Sequence, residues 1–259
     1  MIKEGVLDKL LSSLQDYNEV ANNYATSVST ALNVVGTTLL AIMLYIELAN
    51  MQKKLSSEQG MLSIELLMSV VWKYIVALAF VMLSDKIVDA FIWFANAIGH
   101  LINSVSIEGE ASSGTVPSVT GDLGWGQSMI INIVQVFSNF ALWCGEVITD
   151  ILIFMRFLML FVYKMIAGVM FASFVSDEWS SIAKSYIRQV LALVIQGFVL
   201  ILIIKVFQAI RLGEVLEVTS NGDDFAKNLA SQFMFIVKSV AYIGILLGSQ
   251  RLTQKMVGG

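Results

Sequence analysis

From Val28 to Ala49 no charge interrupts the chain before Glu47, and comparable apolar runs recur at about 63–83, 129–147, 151–175, 187–210 and 230–249. A helix crossing the hydrocarbon core of a bilayer needs about 20 mostly apolar residues. Each run meets that length, and few water-soluble domains could hide so many. Charged residues make up 14% of the sequence, well below the roughly 25% of soluble domains. The pattern predicts an all-α fold: a polytopic transmembrane helical bundle in a cellular membrane.

Ahead of the first run, Ile2, Val6, Leu7, Leu10, Leu11, Leu14, Tyr17 and Ala21 recur at three- and four-residue spacing, the signature of one helical face. Residues 1–26 are therefore read as an amphipathic N-terminal helix. Its polar face is slightly acidic rather than basic, which favours packing on the bundle or a partner over adsorption to anionic lipid. Glu4, Asp8, Asp16 and Glu19 precede the first apolar run, unlike a secretory signal.

Residues 27–250 form the transmembrane domain, and 251–259 a short tail. The first span, 28–49, ends at Gln52, Lys53 and Lys54, with a turn at 55–60. Ser84, Asp85 and Lys86 divide the long stretch 61–105. Its second part carries a polar stripe of Asp89, Asn96, His100 and Asn103, which suits an interfacial or pore-facing helix. Residues 107–127 hold the only proline, Pro117, and no Lys or Arg, so the loop is placed outside the cell by the positive-inside rule. The count is six or seven crossings. With six, both termini fall outside.

Charges within apolar runs are the candidate functional residues. Lys73 follows Glu65 by eight residues, and Lys164 follows Arg156 by the same offset, which keeps each pair on one broad helix face. Such charges face a bundle interior, an aqueous cavity or a paired partner, so Lys73, Glu65, Arg156 and Lys164 are candidates for lining a passage or for intramembrane pairing. The plainer alternative is snorkelling of Lys164 and Lys205, or pairing of Lys73 with Glu65 or Asp150. Gly168, Gly244 and Gly248 are candidate helix-packing positions, since small residues four apart let helices approach closely.

No catalytic constellation is visible: one histidine, one cysteine (Cys144) in an apolar run, and no phosphate-binding or hydrolase motif. That pattern argues against an enzyme and implies no metal or cofactor. The net charge of -4 supplies no global attraction for nucleic acid.

The stretch from Phe171 to Ile204, FASFVSDEWSSIAKSYIRQVLALVIQGFVLILII, ends one apolar span in Ala-Ser-Phe and opens the next with Ser-Tyr-Ile-Arg. It resembles the TrbL-type polytopic subunit of type IV secretion systems, in its Gram-positive conjugative form. The segment from Glu47 to Asp89, containing ELANMQKKLSSEQGMLSIELLMSVVWKYIVAL, is similar to the family's link between its first two spans. A proline often found before the Ala-Ser turn is missing at Ile166–Val169. The resemblance implies a channel or scaffold subunit in the cytoplasmic membrane, helping form the passage for a DNA–protein substrate. Its implied partners are further copies of itself, other secretion subunits including the ATPases and coupling protein, membrane lipid and, transiently, single-stranded DNA–protein substrate. Trp179, Tyr186 and Gln196 carry the resemblance and read as structural. The competing expectation is a small-solute or proton-coupled transporter using Lys73 and Glu65; a lytic membrane protein is disfavoured by the number of spans.

Overall fold

A computed structural model describes residues 5–58, 64–105, 116–176, 179–209 and 223–256. Within them the chain forms eight helices and no strand: α1 (Val6–Leu11), α2 (Leu14–Tyr17), α3 (Glu19–Glu58), α4 (Ile64–Met82), α5 (Ser84–Ser104), α6 (Trp125–Ala172), α7 (Ser180–Ala209) and α8 (Asp224–Met256). Four segments are long and apolar enough to cross a membrane: Glu19–Lys53, Trp125–Ala172, Ser180–Phe207 and Asp224–Thr253. A fifth arises if Leu67–Met82 and Ser84–Ser104, bent by 65° at their junction, count as one.

That is fewer than the six or seven expected, and one helix accounts for much of the difference. The runs at 129–147 and 151–175 are joined in α6, which has 48 residues. The polar residues between them do not end the helix. Thr149 bonds back to the Gly145 carbonyl at 2.7 Å, the way a helical hydroxyl absorbs its own polarity, and no proline intervenes. At 1.5 Å per residue α6 is about 72 Å long, well beyond the roughly 30 Å hydrocarbon core.

The N-terminal amphipathic segment is not one helix. Ser13 caps α2 by accepting a bond from the Asp16 amide at 3.1 Å, and Asn18 receives the Ala21 amide at 2.9 Å. Two capping side chains thus restart the helix twice, as Ser and Asn do when they compete for backbone donors. Residues 19–26 belong to the long α3. Of the expected apolar face, Val6, Leu10, Leu11 and Leu14 are buried, and Leu7, Tyr17 and Ala21 are half-buried.

Other boundaries also move. Helix α3 runs through the expected turn as far as Glu58, and α8 runs through Arg251 into the expected tail. Residues 107–115 of the 107–127 loop and 211–222 of the polar loop at 211–228, together with 257–259, lie outside the described residues.

The chain groups into two compact units. The first contains Met1–Leu11, Ala97–Met155 and Gln196–Lys255; the second contains Ser12–Asn96, Arg156–Ile195 and Met256–Gly259. In the first, Tyr242 is fully buried, lies 3.3 Å from the Thr149 hydroxyl and packs on Phe207 with ring centroids 5.0 Å apart. The end of the loop before α6 is tied to α8: Asn228 exchanges two hydrogen bonds with the Thr120 backbone, and Gln232 donates to the Pro117 carbonyl at 2.8 Å. In the second, Tyr17 stacks on Phe157 at 3.8 Å, above a core including Val81, Ile92, Leu160, Ala167 and Val190.

Candidate functional site

The second unit holds most of the charges singled out from the sequence, and α6 aligns two of them. Arg156 and Lys164, two turns apart, are each only 2% exposed. The Arg156 Nε donates to the Leu193 carbonyl of α7 at 3.1 Å, and its guanidinium lies 5.3 Å from the Phe157 ring centroid. Lys164 does not snorkel. Its ammonium donates to both Asp89 oxygens, at 2.9 and 2.7 Å, and to Asn22 Oδ1 at 2.9 Å. One side chain of α6 therefore binds α3 and α5 together. The Asp89 side chain is 45% exposed, so this buried cation is balanced by a carboxylate that reaches the surface of the fold.

Lys73 has a different setting. The ion pair shown for it is with Glu47 of α3, at 3.8 Å, while Glu65 is exposed in the first turn of α4. Asp150 pairs with Lys9 instead, at 3.4 Å in the first unit. Glu47 also accepts the Tyr74 hydroxyl at 2.7 Å. Although Lys73 is near the middle of α4, its neighbours include Ser176 and Trp179 from the turn between α6 and α7. It thus shares a pocket with residues of a helix end, and its side chain is 41% exposed. Lys205 does end-of-helix work: it donates to the Asn103 and Val105 carbonyls at 2.7 and 3.1 Å, closing acceptors that a helix C-terminus leaves open.

The α4–α5 break is built around Asn33. With its amide nitrogen turned toward the break, Asn33 is 3.2 Å from the Val81 carbonyl, 3.2 Å from Ser84 Oγ and 3.2 Å from the Ser29 carbonyl. Two of these can be satisfied at once, which covers polar groups that the interrupted helix exposes. Gly168 makes the room: a Cβ there would run into the Asn33 side chain, and a Cβ on Gly36 would lie 2.8 Å from the Gly168 carbonyl. Gly168 is thus a packing glycine. Gly244 and Gly248 are exposed and meet nothing within 4 Å.

The polar stripe on α5 divides among separate tasks. Asp89 takes Lys164, Asn96 donates to the Ser12 carbonyl at 2.9 Å, and His100 is exposed. Tyr186 is buried and donates to the Tyr163 carbonyl at 2.8 Å, Gln196 is buried, and Trp179 is exposed. Among the described residues no group of three side chains is placed to hold a metal ion.

Reading the sequence for charge missed Asn22, Asn33, Gly36 and Glu47. A signal existed for three of them. Asn22, Ser29 and Gly36 are spaced by seven, with Asn33 four after Ser29, which is a polar and small stripe on one face of α3. No family model matches the sequence, and no curated protein or solved structure matches the chain.

Proposed function

We propose that the chain is a multi-pass channel or scaffold subunit of a conjugative type IV secretion system in the cytoplasmic membrane. The reading rests on the resemblance at 171–204 and 47–89. The observation that best supports it is the Lys164–Asp89–Asn22 cluster, a charged junction held inside apolar helices. Three long elements meet there, a use suited to a membrane scaffold. In this reading the secretion ATPases supply energy, and the chain supplies a membrane frame and assembles with copies of itself.

Five crossings suit the charges better than six. With 107–127 outside, α3 enters, the bent α4–α5 pair leaves, α6 enters, α7 leaves and α8 enters. Lys53, Lys54, Lys184, Arg188, Arg251 and Lys255 then fall on the cytoplasmic side, and Lys9, Lys205, Arg211 and Lys227 outside; six crossings would instead put Lys184, Arg188, Arg251 and Lys255 outside, against the positive-inside rule. The N-terminal end of α3 is then outside and the C-terminal end of α8 inside, in place of two external termini. A cysteine at Ser113 in a Cys144→Ala background should react with an impermeant thiol reagent in intact cells, and one at Lys53 should not. The reverse pattern would invert the topology.

The functional test is deletion of the gene with complementation in trans. DNA transfer should fall to background on deletion and return with the wild-type chain, which should copurify with the ATPases. Undiminished transfer would end the secretion reading. The bent α4–α5 pair is the one observation favouring a transporter, since broken helices line many transport sites; solute uptake lost on deletion, with transfer intact, would select it.

A further inference from the structure

We propose that Lys73 and Glu47 form the headgroup site for a phospholipid carrying both a phosphate and a primary amine, whose acyl chain lies in the apolar pocket beside them. Two pockets of the second unit meet at Lys73. One, about 620 Å³, is walled by Val76, Phe80, Phe171, Phe174 and Ile187, and among the described residues Lys73 is the only charged one in its lining. The other, about 490 Å³, adds Glu47, Asn50, Tyr74, Ser176 and Trp179 to aliphatic walls. An apolar chamber and a polar chamber with an ammonium between them match an amphiphile.

Charge selects the headgroup. The Lys73 and Glu47 side chains are 41% and 33% exposed, and their 3.8 Å separation is loose for an ion pair. Such pairs contribute little by themselves, so a ligand loses little by parting them. A purely anionic head would sit on Lys73 but face the Glu47 carboxylate, which Tyr74 holds at 2.7 Å. A head with phosphate and ammonium satisfies both: phosphate on Lys73, ammonium on Glu47. Trp179 and Tyr74 stand beside the pair as aromatic residues do at the water boundary of a bilayer. The inference rests on the membrane placement above and not on the secretion role.

The test uses the full chain, extracted from membranes in detergent and stripped of lipid. It is then offered phosphatidylethanolamine or phosphatidylglycerol of identical acyl chains and read by native mass spectrometry. Phosphatidylethanolamine should be retained roughly tenfold better, the scale of one added charge-assisted contact. Lys73→Gln should lose both lipids, and Glu47→Gln should lose the preference while keeping phosphatidylglycerol. The exchange Lys73→Glu with Glu47→Lys should keep the preference, and it keeps the test readable if a single variant fails to fold. Lys184→Gln should behave as wild type. Soluble phosphoethanolamine at the same concentration should not displace the lipid. Equal retention of the two lipids, wild-type retention by Lys73→Gln or Glu47→Gln, or displacement by phosphoethanolamine would each overturn the proposal. Recovery of the chain in the soluble fraction would instead remove the membrane placement.

Discussion

Lys164 and Lys73 look alike in the sequence, each a lysine inside an apolar run and eight residues after another charge, yet the fold treats them oppositely. Lys164 is sealed in, with three oxygens within 2.9 Å. Lys73 is half-open to its surroundings, with one carboxylate oxygen at 3.8 Å. The difference follows from what packs against α6 and α4. Gly168, one turn past Lys164, lets α3 approach α6 closely and brings Asn22 and α5 with it. Beside Lys73 the phenyl rings leave space rather than filling it. A buried charge with a full set of acceptors is structural; a loosely held charge at a pocket mouth is free to bind.

The comparison breaks most severely at Asp89. Asp89→Ala leaves the Lys164 ammonium buried with only Asn22 of the acceptors described, and should cost about 3–5 kcal/mol, the range for stranding a buried charge. Lys164→Met should cost less, because the stranded Asp89 is already 45% exposed and can hydrate. The two variants, compared by thermal unfolding in the same detergent, should keep that order. If Lys164→Met proves the worse, the junction is not held by the burial of its cation.

Next in size is the close approach of α3 and α6. Gly168→Ala drives a methyl into Asn33 and should cost about 1–3 kcal/mol, as overpacking does. Gly248→Ala should change stability by no more than about 0.5 kcal/mol, since the position is open. Equal losses at both positions would show that Gly248 packs in a way this chain alone does not reveal.

Lys73→Leu sharpens the other side of the contrast. Its ion pair is half-exposed, so the stability change should stay under about 1 kcal/mol, and removing the charge should not impede insertion. On the proposed function, DNA transfer should nonetheless drop markedly, and Lys73→Arg should keep part of it. If Glu47→Gln added to Lys73→Leu restores transfer, the pair is structural and not part of a passage. Full transfer by Lys73→Leu alone would remove the passage role from this residue.

The smallest effect on the folded chain is expected at the open glycines. Gly248→Leu should leave unfolding within about 0.5 kcal/mol of wild type while weakening self-association, measured by crosslinking and sizing. An unchanged oligomer would mean that the Gly244–Gly248 face is not an interface.

Apolar run length alone determined that this chain is helical and membrane-length, because the cost of exposing backbone polar groups in hydrocarbon leaves a single span few options. The same local reasoning identified Gly168, Arg156 and Lys164 as unusual. It could not decide whether Glu146–Asp150 interrupts a helix or lies within one, because a polar residue ends a helix only when its side chain competes for the backbone groups of the helix, and Thr149 instead bonds back to the preceding turn. Nor could it choose Glu47 over Glu65 for Lys73, or Asp89 for Lys164. Those choices depend on which faces of α3, α4, α5 and α6 meet, and they join residues dozens of positions apart. Periodicity orders side chains around one helix axis; only packing sets one axis against another. The glycines make the point most simply. Gly168 and Gly248 are equally small, and the structure alone placed one against the Asn33 side chain and left the other open.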